Sequence, residues 1–84
     1  MPSIDPEALG VLRQALGLDR AAMPYRNHFP APDDDPVLLG LVRQGLMAIG
    51  QSVPGGLRLF HVTPAGARRI GSPLPPTAPD RIIG

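Results

Sequence analysis

The chain has 84 residues, which suffices for one small domain and leaves no room for a second. Eight basic side chains, all arginine, and seven acidic ones leave a net charge of +1, without the basic excess typical of nucleic-acid or anionic-membrane binding. The absence of cysteine excludes disulfides and thiolate metal sites.

The first predicted element is a helix from Pro6 to Leu16. Asp5 is a typical N-cap, Pro6 suits the first helical position, and Gly17 supplies the stop. At about 100° per residue one side of this helix is apolar. That side consists of Ala8, Leu9, Val11, Leu12, Ala15 and Leu16.

Residues 18–34 contain several prolines and lead into the acidic run of residues 33–35, so a mostly irregular segment is predicted. Tyr25, His28 and Phe29 lie close together in this segment, which indicates that residues 25–29 pack onto the core. We expect His28 to form a hydrogen bond in a partly buried turn.

A second helix is predicted from Pro36 to about Met47, because Asp35-Pro36 repeats the acidic cap followed by proline. Its apolar face is predicted to be buried against the first helix. The buried positions would be Leu38, Leu41, Val42, Gly45 and Leu46, and the outward ones Gly40, Arg43, Gln44 and Met47.

A β-hairpin should follow, since the turn signal Pro54-Gly55-Gly56 separates two extended runs, Met47 to Val53 and Leu57 to Val62. In the second run Phe60 and Val62 are predicted to point inward and His61 outward. Thr63-Pro64 should then cap a short helix that ends at Gly71.

The predicted domain covers residues 1–71, and the proline-rich residues 72–84 are expected to form a flexible tail. The chain start lacks a basic segment followed by an apolar one, and no apolar run approaches the roughly 20 residues of a membrane helix. A soluble, cytoplasmic protein without a membrane contact is therefore expected.

The order helix, Gly45-Leu46-Met47, glycine-rich turn, strand and Thr63-x-x-Gly66 resembles the back half of a winged helix, over residues 36–71. The resemblance implies a small, abbreviated α+β domain, with two amphipathic helices, a β-hairpin and a short C-terminal helix. Winged helices commonly place the helix before the wing in the DNA major groove. Here three aspartates precede that helix, and the wing, residues 50–56, carries no cation to approach a phosphate.

A second resemblance rests on Pro-Tyr-Arg-Asn-His-Phe at residues 24–29, the acidic stretch after it, and Leu-Val-x-x-Gly-Leu-Met at residues 41–47. This pattern is similar to a family of small uncharacterised proteins of tailed phages and prophages. No activity comes with that likeness.

No catalytic or cofactor-binding pattern is present. His28 and His61 are far apart in the sequence, and no serine lies in a nucleophile motif. The glycines form no phosphate-binding loop, and the aspartate run is better explained as helix capping than as a cation site. We therefore expect no enzyme activity, no cofactor and no metal.

The leading hypothesis is a non-catalytic protein-interaction module of phage or prophage type. Its predicted protein-binding residues lie in the segment before the second helix and on that helix: Tyr25, Arg26, His28, Phe29, Arg43, Gln44 and Met47. The alternative is a DNA-binding accessory regulator that uses the wing-side arginines Arg58, Arg68 and Arg69. The sequence leaves the identity of the partner and the oligomeric state open.

Overall fold

Helices and strands follow one another along the chain in the computed structural model, which describes residues 5–75. Within that range the elements are α1 (Pro6–Ala15), β1 (Phe29–Pro32), α2 (Pro36–Arg43), β2 (Met47–Val53), β3 (Leu57–Val62) and α3 (Pro64–Arg69). The strands form one antiparallel sheet in the order β1-β3-β2. The predicted α+β class is confirmed, and both hairpin strands have the predicted bounds.

Each helix begins with proline after a residue whose side chain caps the helix. The Asp5 carboxylate accepts a hydrogen bond from the Glu7 amide at 3.0 Å. The Asp35 carboxylate accepts from two amides, at 2.9 and 3.2 Å. The Thr63 hydroxyl accepts from the Gly66 amide at 3.1 Å. These contacts satisfy helix amides that have no partner inside the helix, so all three predicted caps are confirmed.

The core lies between the helices and one face of the sheet. Phe60 is 0% exposed and Val62 is 3% exposed, which confirms that this face of β3 points inward. Most other core side chains are aliphatic, as the low aromatic content requires. The buried core consists of Ala8, Leu12, Ala15, Leu16, Ala31, Leu38, Leu41, Leu46, Met47, Phe60, Val62 and Ala67.

Residues 18–28 contain no helix or strand, as predicted, but strand β1 was not expected in the segment 18–34. Phe29–Pro32 pairs with β3 although two of its four residues are prolines. In this antiparallel register Pro30 and Pro32 alternate with residues that can donate toward β3. Proline is tolerated at such outward positions of an edge strand, so its presence did not exclude the strand.

Helix α2 is shorter than predicted, and Met47 does not lie on its outward face. The helix ends at Arg43, because Gly45 adopts a φ of +77° and the Leu46 amide bonds back to the Leu41 carbonyl at 2.9 Å. Met47 therefore begins β2 opposite Val62 and is only 2% exposed. Its prediction as an exposed helical residue was wrong.

Packing continues beyond α3 into the start of the predicted tail. The Ser72 amide donates to the Ala67 carbonyl at 2.9 Å, and Leu74 packs partly buried against the core. The remaining tail, with Ile82 and Ile83, lies outside the described residues. No helix within residues 5–75 is both long enough and apolar enough to cross a bilayer.

Candidate functional site

The predicted binding segment, residues 25–29, closes the C-terminal end of α1; we call it the clamp. The Tyr25 amide donates to the Leu16 carbonyl at 3.1 Å, and the His28 amide donates to the Ala15 carbonyl at 3.0 Å. The last carbonyls of a helix have no partner inside it. The clamp backbone therefore supplies donors that the end of α1 needs.

Arg26 serves the same helix end with its side chain. Its Nε and Nη2 atoms donate to the Gln14 carbonyl at 3.2 and 2.8 Å, and Nη2 lies 3.6 Å from the Asp19 carboxylate. Its guanidinium carbon lies 5.4 Å from the centre of the Tyr25 ring. Much of the hydrogen-bonding capacity of Arg26 is thus used inside the molecule.

Asn27 joins the clamp to the sheet. Its side-chain amide donates to the Val62 carbonyl at 3.0 Å and its side-chain oxygen accepts from the Val62 amide at 2.7 Å. The same two backbone groups would be satisfied by a neighbouring strand. Asn27 therefore extends the pairing of β1 and β3 with a side chain in place of backbone.

The two histidines exchange the environments that the sequence suggested. His28 is exposed, whereas His61 is half-buried and its Nδ1 atom lies 2.7 Å from the Asn27 carbonyl oxygen. On the outward face of β3 the His61 ring packs over Gly50 of β2. It fits there because Gly50 has no side chain. The prediction of a partly buried His28 was wrong; His61 lies on the outward side of β3, as predicted, but is half-buried there.

A groove of about 350 Å³ runs along the clamp. It is lined by Gln14, Arg26, His28, Phe29 and Pro30. Phe29 is half-buried and pairs with Phe60 across the strands, while Tyr25 remains 53% exposed beside the groove. The structure thus brings the four predicted clamp residues together, but several of their polar groups already have internal partners.

A second groove, of about 500 Å³, lies where the end of α2 meets α3. We call it the α2–α3 groove; its lining residues are Gln44, Leu46, Ala65, Arg68 and Arg69. Gln44 is the C-cap of α2, and the two arginines occupy the last turn of α3. This places one residue from the predicted protein-binding set beside two from the DNA-binding set.

Hydrogen bonds between the two helix ends fix the shape of the α2–α3 groove. The Thr63 hydroxyl donates to the Gly45 carbonyl at 2.6 Å, and the Thr63 amide donates to the Leu46 carbonyl at 3.1 Å. A Cβ atom at Gly66 would overlap the Leu46 carbonyl, so glycine permits the close approach of α3. The positions of the groove residues therefore depend on backbone contacts.

The groove combines exposed polar groups with an apolar lining. Gln44, Arg68 and Arg69 are exposed, whereas Leu46 is buried and Ala65 half-buried. Neither arginine forms an ion pair or a side-chain hydrogen bond within residues 5–75, and the groove lining contains no carboxylate. Residues 5–75 thus leave both guanidinium groups without an internal acceptor.

Two other predicted site residues lie elsewhere. Arg43 is exposed beside Gln44 but does not line the groove. Arg58 is half-buried at the other end of β3 and donates from Nη1 to the Gly50 carbonyl at 3.0 Å. It lies four positions before Val62, which corresponds to roughly 13 Å at 3.3 Å per residue. Arg58 therefore does not share a groove with Arg68 and Arg69.

Sequence reasoning missed two features of these sites. It did not single out Asn27, although asparagine is the side chain in the clamp that can both donate and accept with an amide geometry. It also did not group Gln44 with the α3 arginines, because their proximity depends on the Thr63 contacts. Among residues 5–75 no three potential metal-ligating side chains of the His, Cys, Asp and Glu types come together.

Comparison with known proteins returns no matching family model, no matching curated protein and no matching solved structure.

Proposed function

We propose that this chain is a non-catalytic protein-interaction module, of the phage or prophage type that its sequence resembles, and that the α2–α3 groove is its binding site. The observation that carries the proposal is the exposure of Arg68 and Arg69 beside the half-buried Ala65, without an acidic partner in the groove lining. Exposed guanidinium groups next to apolar surface suit a ligand that has both carboxylates and small apolar side chains.

The chemistry of the lining favours an acidic peptide segment as the ligand. Arginine forms paired hydrogen bonds with a carboxylate, and such charge-assisted bonds are stronger than neutral ones. The exposed amide of Gln44 can donate to a peptide carbonyl and accept from a peptide amide. The half-buried Ala65 adds a small apolar contact, whereas Leu46 belongs to the core and is only 3% exposed.

The clamp is the weaker candidate for the same function. Its backbone amides, Arg26 and Asn27 bond to α1 and β3. A partner that took over those bonds would first have to break them. Tyr25 and His28 remain exposed there and could extend a contact surface, but they do not form a cationic pair.

The test is a titration of the isotope-labelled full chain with a library of short Asp- and Glu-rich peptides, monitored by backbone and side-chain chemical shifts. We expect shifts concentrated at Gln44, Arg68 and Arg69, and a loss of binding of at least tenfold in the double variant Arg68→Ala, Arg69→Ala. The matched control is Arg20→Ala, since Arg20 is exposed, contacts only Asp19 among the described acidic groups and lies outside the groove.

A different result would contradict the proposal. If acidic peptides shift the clamp resonances alone, or if Arg20→Ala weakens binding as much as the double variant, the α2–α3 groove is not the site. A library of neutral peptides of the same length distinguishes carboxylate recognition from non-specific peptide binding, because only the acidic library should bind.

The DNA-binding alternative has one observation in its favour, namely that Arg68 and Arg69 share a groove. Against it, Arg58 bonds to a backbone carbonyl at another place, and the exposed Asp33 and Asp34 precede α2. A salt titration with duplex DNA tests this alternative. Tight binding, with an association constant whose logarithm falls steeply as the logarithm of the salt concentration rises, would favour it over the protein-binding proposal.

A further inference from the structure

The two edges of the sheet differ in what they can offer to another strand. Strand β1 forms one edge, and prolines occupy two of its positions. Proline cannot donate, so the pairs that exchange hydrogen bonds with β3 must be Phe29 with Phe60 and Ala31 with Arg58. Pro30 and Pro32 therefore face outward, and their positions at the free edge have no N–H group.

The β1 edge also has fewer free backbone carbonyl groups. The Pro32 carbonyl accepts the Asp35 amide at 3.1 Å, in the turn that leads to α2. Proline on an edge strand is a known protection against pairing with a further chain. The β1 edge is consequently closed to β-sheet extension.

Strand β2 forms the opposite edge, and its register shows which groups are free. Since Phe60 and Arg58 use their backbone groups toward β1, the alternate residues of β3 bond to β2. Ala48 and Val53 are then the bonded partners in β2, while the backbone groups of Ile49 and Ser52 turn outward.

The β2 edge differs from the β1 edge in its side chains, and its Gly50 carbonyl accepts from Arg58 Nη1 at 3.0 Å. Its seven residues, Met-Ala-Ile-Gly-Gln-Ser-Val, include no proline and no charged side chain. Ile49 is 47% exposed, one of the three exposed large hydrophobic side chains among the described residues. A register shift between Ile49 and Ser52 limits the length of regular strand available on either side of it.

We propose that β2 pairs antiparallel with β2 of a second copy of this chain, centred on Ile49, which joins two three-stranded sheets into one. A second copy fits because an uncharged strand places no like charges opposite one another when it pairs with itself, and two Ile49 side chains then meet across the strands. A two-fold pair uses the same surface on both copies.

The closed β1 edge determines where such assembly stops. In the joined sheet both outer edges are β1, and both carry Pro30 and Pro32 at their outward positions. Neither outer edge can add a further strand by backbone donation at those positions. The proposal therefore specifies a dimer and excludes a fibre, and it is independent of the α2–α3 groove.

The test is sedimentation equilibrium of the full chain from about 10 μM to about 1 mM, a range that covers weak to moderate affinities. We expect a monomer–dimer equilibrium, weakened at least tenfold in Ile49→Lys, which places two like charges at the centre of the interface. Gly10→Lys is the control, because it adds the same charge at an exposed position of α1 where a Cβ atom meets no other atom within 4 Å; it should leave the equilibrium unchanged.

Amide hydrogen exchange of the wild-type chain provides a second measurement that does not depend on a variant. Protection of the Ile49 amide should rise with protein concentration, while amides of β1 should not change. A monomer throughout the concentration range would overturn the proposal. Dimerisation that Ile49→Lys leaves intact, or that protects β1 instead, would overturn it as well.

Discussion

The clamp and the α2–α3 groove both contain arginine beside apolar surface, yet their arginines do different things. In the clamp, Arg26 donates twice to the Gln14 carbonyl and lies near Asp19. In the groove, Arg68 and Arg69 have no such partner within residues 5–75. A cluster of aromatic and cationic residues can thus serve internal bonds, whereas Arg68 and Arg69, without aromatic neighbours in the sequence, have no bonding partner among the described residues.

The largest expected difference between the two regions concerns Asn27. Asn27→Ala removes two hydrogen bonds and leaves the Val62 backbone without its partners in a partly buried position. We expect the free energy of unfolding to fall by about 2–3 kcal/mol. Urea denaturation monitored by circular dichroism measures the change.

Gln44→Ala is the matched control for Asn27→Ala, because it truncates an exposed amide in the groove. Its effect on the free energy of unfolding should stay within about 0.5 kcal/mol. Equal losses in the two variants would show that the clamp contributes no more to stability than the groove does.

A smaller effect on stability is expected at Gly17, which follows the C-cap of α1. Gly17 has a φ of +83°, and a Cβ atom there would overlap the Tyr25 ring. Gly17→Ala should therefore cost about 1–2 kcal/mol of stability. It should also alter the fluorescence of Tyr25, the one tyrosine of the chain, because the ring must move.

The same substitution at Gly10 is the control for Gly17→Ala. Gly10 lies inside α1 and a side chain there meets no other atom, so Gly10→Ala should stabilise the protein by about 0.5–1 kcal/mol. Opposite signs at the two glycines are the expected result. A stabilising Gly17→Ala would contradict the structural role assigned to the contact between Gly17 and Tyr25.

The sequence predicted those parts of the fold that local chemistry determines. The Asp-Pro and Thr-Pro starts of the helices and the bounds of the hairpin are confirmed, since caps and turns act over a few residues. β1 was missed because an edge position makes proline acceptable, and an edge exists only after the sheet has formed.

The candidate sites were less predictable, because they depend on contacts between distant residues. Met47 was placed on a helix since its spacing fits that face, but Gly45 ended the helix first. The clamp residues were identified as a group, whereas their hydrogen bonds to α1 were not. The proximity of Gln44 to Arg68 follows from bonds to Thr63, which no periodicity in the sequence records.

The smallest expected effects compare arginine with arginine. Arg26→Ala should lower the free energy of unfolding by about 1 kcal/mol, because the Gln14 carbonyl loses two guanidinium donors but keeps the Gly17 amide at 3.0 Å. Arg68→Ala combined with Arg69→Ala should change it by less than about 0.5 kcal/mol, since neither side chain has an internal partner among the described residues. Thermal and urea unfolding of both variants at the same salt concentration measure the contrast. A double variant less stable than Arg26→Ala would mean that the groove arginines stabilise the fold. Their side chains would then not be free to bind a ligand.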